Sequence, residues 1–189
     1  MNGTAGSVPP VCEKVYALVI YIPDPLGKFL DDLRRELVPH YNPHAHVSVL
    51  PPRPLAVGWE RASSEVRSVL EACAPFEVEL TYVHRFPVTN VIYLEVGEGA
   101  SDLRRLHRSM CDGVLGYEEP YPYCPHVTLA QEVPAERVRE IEETARRRWM
   151  EFSGQRRFRV ERAVFVQSTE KDCWVDLAEY ELGLVAAKL

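Results

Sequence analysis

The sequence has no long apolar run, no cationic excess, no paired cysteines and no glycine-rich loop, and each absence removes a class of protein. Its longest apolar stretch, Val15 to Ile22, is 8 residues, far below the roughly 20 that a membrane-spanning helix needs. No membrane association is expected. The opening residues, MNGTAGSVPPVCEK, carry neither the basic start nor the apolar centre of a secretory signal. Residues 1–13 are expected to be a flexible tail ahead of one domain over residues 14–189. Lys and Arg number 22 against 28 Asp and Glu, a net charge of −6, which argues against a protein that grips long duplex nucleic acid through a basic face. A nucleotide or a short RNA end stays open, because a local pocket can be positive on an acidic protein. The five cysteines (Cys12, Cys73, Cys111, Cys124 and Cys173) are odd in number and form no CxxC pair. They fit reduced thiols in a cytoplasmic protein better than a disulfide framework. No phosphate-cradling glycine loop and no carboxylate cluster offers a competing catalytic site.

What is present is a chain 46% hydrophobic and 26% charged, long enough to bury a sizeable core. Val15 to Ile22 is β-branched and aromatic and reads as a buried strand. Asp24-Pro25 reads as a helix start; Leu26, Phe29, Leu30, Leu33 and Leu37 then recur at helical spacing until Pro39. A second strand, His46 to Leu50, ends at Pro51-Pro52-Arg53-Pro54. A helix from about Gly58 to Cys73 follows. Phe76, Val78, Leu80 and Tyr82 alternate with Glu77, Glu79 and Thr81, the period of a strand wet on one side. Asn90 to Val96 reads as a further strand. Ser101 reads as the cap of a helix carrying Leu103, Leu106, Met110 and Val114, with Gly116 at its end. After a tyrosine-rich loop, Tyr117 to Tyr123, comes the strand of His126. Pro134 opens a charged helix with Val138, Ile141, Ala145 and Trp149 inward. Phe158 to Gln167 and Cys173 to Leu182 read as two closing strands. Strand, helix, histidine strand and helix thus occur twice, with 31 residues from Val15 to His46 and 35 from Val91 to His126.

The chemistry lies in those two histidine strands. His46-Val47-Ser48-Val49-Leu50 and His126-Val127-Thr128-Leu129 stand 126 − 46 = 80 residues apart. Successive strand side chains alternate in direction, so each strand shows an imidazole and a hydroxyl on one face and ordinary core on the other. If the halves face each other, one histidine can remove a proton from a nucleophile while the other protonates a leaving oxygen. Ser48 and Thr128 can hydrogen-bond the non-bridging oxygens where charge builds up. That arrangement suits in-line substitution at phosphorus without a metal. A blander reading keeps a lone strand histidine in the core, and the repetition is what argues against it. His44 and His40 raise a zinc or copper alternative, but no third ligand has a supporting spacing. His84 and His107 read as surface positions, and Arg146-Arg147-Arg148 as a solvated mixed-charge face. Tyr123, adjacent to the second motif, and then Phe86 are the preferred rings for stacking a nucleobase.

The paired His-x-Ser/Thr strands, Pro125 before the second histidine, the spacing of about eighty residues and the ending Val164-Phe165-Val166-Gln167-Ser168 resemble the 2H phosphoesterase superfamily, the 2′-5′ RNA ligase-like and cyclic phosphodiesterase proteins. The resemblance runs from Lys14 to Leu182. It implies an α/β (α+β) fold that is bilobal, with two antiparallel sheets facing a central cleft, helices packed outside and a pseudo-two-fold duplication. It further implies an enzyme acting on 2′,3′-cyclic phosphates or 2′-5′ linkages, with His46 and His126 as the acid–base pair and Ser48 and Thr128 holding the phosphate. No cofactor and no metal are implied. The expected partner is a small cyclic nucleotide or a short RNA end, and a monomer is expected. Reversible 2′-5′ RNA ligation and non-catalytic binding of nucleotides or RNA ends stand as alternatives. Many relatives carry an arginine three residues after the second hydroxyl, where this chain has Gln131. Arg53 is the first candidate to replace that charge at the substrate, and Arg85 the second.

Overall fold

The computed structural model describes residues 14–39, 44–170 and 173–183. Cys12 and His40 lie outside the described residues, so neither the tail expected over residues 1–13 nor the paired role of His40 is addressed.

Among the described residues, eight strands form two four-stranded antiparallel sheets. The first has the order β2-β1-β7-β8, with β1 Val15–Tyr21, β2 His46–Arg53, β7 Arg162–Glu170 and β8 Cys173–Glu181. The second has the order β5-β4-β3-β6, with β3 Phe76–Arg85, β4 Ile92–Val96, β5 His126–Ala130 and β6 Arg157–Val160. The α-helices of the described residues are α1 Leu26–Leu37, α2 Trp59–Glu71, α3 Ala100–Arg108 and α4 Val138–Glu151. The units β1-α1-β2 and β4-α3-β5 correspond, and in each the histidine strand is the edge of its sheet.

The two units interlock. Helix α1 packs against β5 and α4, whereas α3 packs against β2. Each crossover helix therefore covers the other unit's sheet. One continuous core results, in which Leu18, Leu30 and Val49 join Leu80, Leu94, Leu103 and Val127, all essentially inaccessible to water. The apolar stripes that define these helices in sequence are the buried ones: Leu26, Leu30, Leu33 and Leu37 on α1, and Val138, Ile141, Ala145 and Trp149 on α4.

Four expectations are corrected. Phe158 to Gln167 is not one strand: β6 and β7 belong to different sheets, and Glu161 is where the chain changes over. The sequence hides this because buried apolar residues, Phe158 and Val160 before the change-over and Ala163 to Val166 after it, stand on both sides of Glu161. Tyr82 points outward at 71% exposure, and Val83 takes its place in the core. The cause is a register shift between Leu80 and Val83 in the β3–β4 ladder, a bulge that reverses the alternation beyond it. Ser101 lies inside α3, whose cap is Gly99 at φ 83°. A Cβ there would come within 2.4 Å of the Glu77 carbonyl oxygen, so only glycine fits. Finally, α3 stops at Arg108, and Gly116 instead follows a short 3-10 turn, Gly113–Leu115.

Candidate active site

Strands β2 and β5 meet across a cleft of about 1470 Å³ lined by residues of both sheets, including His46, Ser48, His126 and Thr128. Along β2, Val47 and Val49 are buried while His46 and Ser48 are partly accessible; along β5, Val127 and Leu129 are buried while His126 and Thr128 are partly accessible. The alternation read from the sequence is thus carried out in both strands.

The two imidazoles are held in the same way. Nδ1 of His46 is 2.8 Å from the His44 carbonyl oxygen, and Nδ1 of His126 is 2.7 Å from the Cys124 carbonyl oxygen. A carbonyl can only accept, so Nδ1 carries the hydrogen in both rings and Nε2 is left without that hydrogen. The backbone at His44 is left-handed, φ 81°, and the amide of its neighbour Ala45 donates to the Asp31 carboxylate of α1 at 2.6 Å. Helix α1 thereby anchors the approach to the first motif.

Burial pushes the pKa of His46 down to about 4, with the positive charges of Arg34 and His126 acting in the same direction and the His44 carbonyl opposing them. Burial also lowers His126, against the support of the Cys124 carbonyl. The two rings sense one another, so a proton on His126 disfavours one on His46. Around them the walls differ. His126 sits edge-on to the rings of Phe86 and Tyr93, at 5.1 and 5.3 Å, and those two rings stack at 4.0 Å. His46 is edge-on to Tyr21 at 6.4 Å, and the Tyr21 hydroxyl donates to Asp176 of β8 at 2.7 Å. Ala17, Val19 and Val166 of the first sheet add an apolar patch to the cleft lining.

Phe86 lines the cleft, as does Gln131. Tyr123 also lines it, but one face of its ring is already stacked on His107 at 3.8 Å and its hydroxyl donates to the Ser48 carbonyl at 2.8 Å. Arg53 does not reach the cleft. It is buried, 2% exposed, and its guanidinium is spent inside the protein on Glu119 and on the carbonyls of Pro51 and Leu115. Proximity in sequence to the first motif suggested a substrate contact, but β2 runs inward at Arg53. Arg85 is likewise engaged, with Glu142 and Asn90. His107 is corrected from surface to core: it is 5% exposed, Nδ1 donates to the Val49 carbonyl at 2.8 Å, and Nε2 lies 3.5 Å from Glu119.

Sequence reasoning passed over Arg34, which is buried on α1, lines the cleft and lies 3.8 Å from Asp31. A signal was present: Arg34 stands four residues after Leu30 and three before Leu37, on the apolar stripe of its helix. Among the described residues no group of three or more His, Cys, Asp or Glu side chains is placed to hold a metal ion, and no helix is long and apolar enough to cross a membrane.

A family model described as the 2′-5′ RNA ligase superfamily matches residues 22–172, most of the chain and both histidine strands. The chain belongs to that superfamily, the 2H phosphoesterases. A Bacillus licheniformis protein whose name marks it a candidate phosphoesterase is 30% identical over 127 residues, 62% of this chain and 71% of the relative. Among solved structures, TT0787 of Thermus thermophilus superposes with a TM-score of 0.64 at 17% identity, covering 89% of this chain and 97% of its own. Escherichia coli LigT complexed with NADP+ does so with a TM-score of 0.60 at 14% identity, covering 90% and 98%. LigT has also been crystallised with 3′-AMP, in a structure of TM-score 0.57 and 13% identity covering 89% and 98%. At these identities the structures show a common fold. This 2H phosphoesterase thus combines the superfamily's two-sheet architecture with Gln131 facing its cleft and a buried Arg34 beside His46.

Proposed function

We propose that this 2H phosphoesterase hydrolyses 2′,3′-cyclic phosphates of nucleotides or RNA ends by metal-independent acid–base catalysis. The observation that carries the reading is the matched anchoring of His46 and His126: both rings are fixed through Nδ1–H, and both Nε2 atoms are left to the cleft beside a hydroxyl. Nucleotides as the ligand class are supported by the complexes of LigT with 3′-AMP and NADP+.

His46 is the more strongly held neutral of the two and is flanked by Arg34, so it is the base. It takes the proton of a water molecule as that oxygen bonds to phosphorus. His126 carries the single proton the pair shares, favoured there once an anionic phosphate is bound, and delivers it to the departing ribose oxygen as the P–O ester bond breaks. Ser48 and Thr128 donate to the non-bridging oxygens, and Arg34 adds positive potential at the same place. The product is a phosphomonoester with a free ribose hydroxyl.

The test is turnover of the four 2′,3′-cyclic nucleotides and of a short RNA with a cyclic phosphate end, in excess EDTA, followed by phosphorus NMR. A single monoester product, lost in His46→Ala and His126→Ala, is expected. Joining of a cyclic phosphate end to a 5′-hydroxyl end without hydrolysis would replace this reading by ligation, and calorimetric binding without turnover would replace it by a binding protein.

A further inference from the structure

Among the described residues, the cleft is lined by very little positive charge for the phosphate-ester site proposed above. Among the described lining residues the one arginine or lysine is Arg34, buried at the histidine pair. Three carboxylates line the same space: Glu119, Glu132 and Asp176. Glu119 is neutralised from behind by Arg53. The other two form no ion pair among the described residues, and they stand on opposite lobes. Asp176 is exposed on β8 of the first sheet and accepts the hydroxyl of Tyr21, the neighbour of His46. Glu132 is exposed just beyond β5 of the second sheet, four residues after Thr128, at a left-handed φ of 55°. One such carboxylate is thus contributed by each sheet, and much of the remaining lining is apolar or aromatic, including Phe86, Val88, Tyr121 and Val175.

We infer that Asp176 and Glu132 make this cleft favour substrates with a single phosphate over those that carry a further phosphate on either side of the reacting one. A cyclic mononucleotide without a 5′-phosphate meets one guanidinium and two aromatic walls. A 5′-phosphorylated counterpart, or an RNA end with its next phosphate in place, brings a second negative charge toward a carboxylate that forms no ion pair among the described residues. Like charges a few ångströms apart at intermediate dielectric repel strongly enough to decide selectivity. Of the two substrate forms in the proposed function, the cyclic mononucleotide without a further phosphate is therefore the preferred one and the RNA end the slower one. This inference rests on the hydrolase reading for its kinetic form, but the charge selection holds for ligand binding as well.

The experiment compares adenosine 2′,3′-cyclic phosphate with its 5′-phosphorylated form, in wild type, Asp176→Asn, Glu132→Gln and the double variant, at low and at high salt. In parallel, calorimetry measures the Kd of 2′-AMP and of adenosine 2′,5′-bisphosphate, which reports on selection whether or not turnover occurs. In wild type kcat/KM and affinity are expected to fall about tenfold or more on adding the 5′-phosphate. The gap is expected to narrow to about threefold or less in the double variant and in about 0.5 M salt, where exposed charges are screened within a few ångströms. Equal affinity for the two ligands in wild type, or a gap the double variant leaves intact, overturns the inference. Absence of turnover with the Kd gap present would remove the hydrolase reading alone.

Discussion

The hydroxyl of Tyr123 donates to the backbone carbonyl of Ser48 at 2.8 Å, so the residue three before the histidine of the second motif is bonded to the hydroxyl residue of the first. Its ring lies flat on His107, with 8° between the planes, and His107 in turn donates to Val49. The approach to β5 is thereby fastened to β2 at two successive residues, and the spacing of the two motifs across the cleft is set by direct contact.

Tyr123→Phe keeps the ring stack and removes one hydrogen bond, leaving the Ser48 carbonyl short of a partner. A loss of about 1 kcal/mol of stability is expected, together with a several-fold fall in kcat on cyclic phosphates as β2 and β5 lose register. Urea unfolding and single-turnover kinetics measure the two effects; unchanged kcat would show that the bond does not set the motif spacing.

Arg53 and Glu119 form a buried pair, 2% and 16% exposed in their side chains. Arg53→Met leaves the Glu119 carboxylate without its cation and is expected to cost about 3–5 kcal/mol. Removing both charges with Arg53→Met and Glu119→Gln is expected to restore much of that loss. The comparison of the two midpoints in urea distinguishes a charge effect from a packing effect, since the packing change at Arg53 is common to both.

The depressed pKa of His46 ties stability to pH. Its folded value of about 4 lies below the ordinary 6.5, so between these pH values the unfolded chain binds a proton that the folded chain refuses. Stability is therefore complete above about pH 6.5 and falls as the pH drops toward about 4, with His126 contributing in the same sense. His46→Asn is expected to flatten this slope, and the acid limb of kcat/KM in wild type is expected near pH 4, where neutral His46 is lost. Thermal unfolding across a pH range of about 4 to 8 for both proteins provides the check.

Phe86 closes over His126. Phe86→Ala admits water to the ring and relieves the desolvation that lowers its pKa, so the His126 value is expected to rise toward the ordinary 6.5. Imidazole proton NMR titration reads this directly, and a pKa that stays put would assign the burial to Tyr93 instead.

Much of this was legible without coordinates. Helices α1 and α4 declared their buried stripes, because a helix positions every third or fourth residue alike whatever surrounds it. The His-x-hydroxyl faces declared themselves for the same reason at a period of two. Arg53 and His107 were misplaced because burial of a polar side chain depends on partners such as Glu119, 66 residues from Arg53 along the chain. Tyr82 was misplaced because a bulge is a property of two paired strands.

The order of letters alone therefore determined the strand and helix periodicities and the two His-x-hydroxyl faces, since each follows from backbone geometry acting on neighbouring residues, and those motifs carried the resemblance to the superfamily. Tertiary structure alone decided that α1 and α3 exchange sheets and that Arg34 reaches the cleft while Arg53 does not. It also decided that burial lowers the pKa of His46 and that Asp176 lines the same cleft. Those outcomes depend on which distant side chains exclude water from one another, and contact between residues far apart in the chain has no local signature.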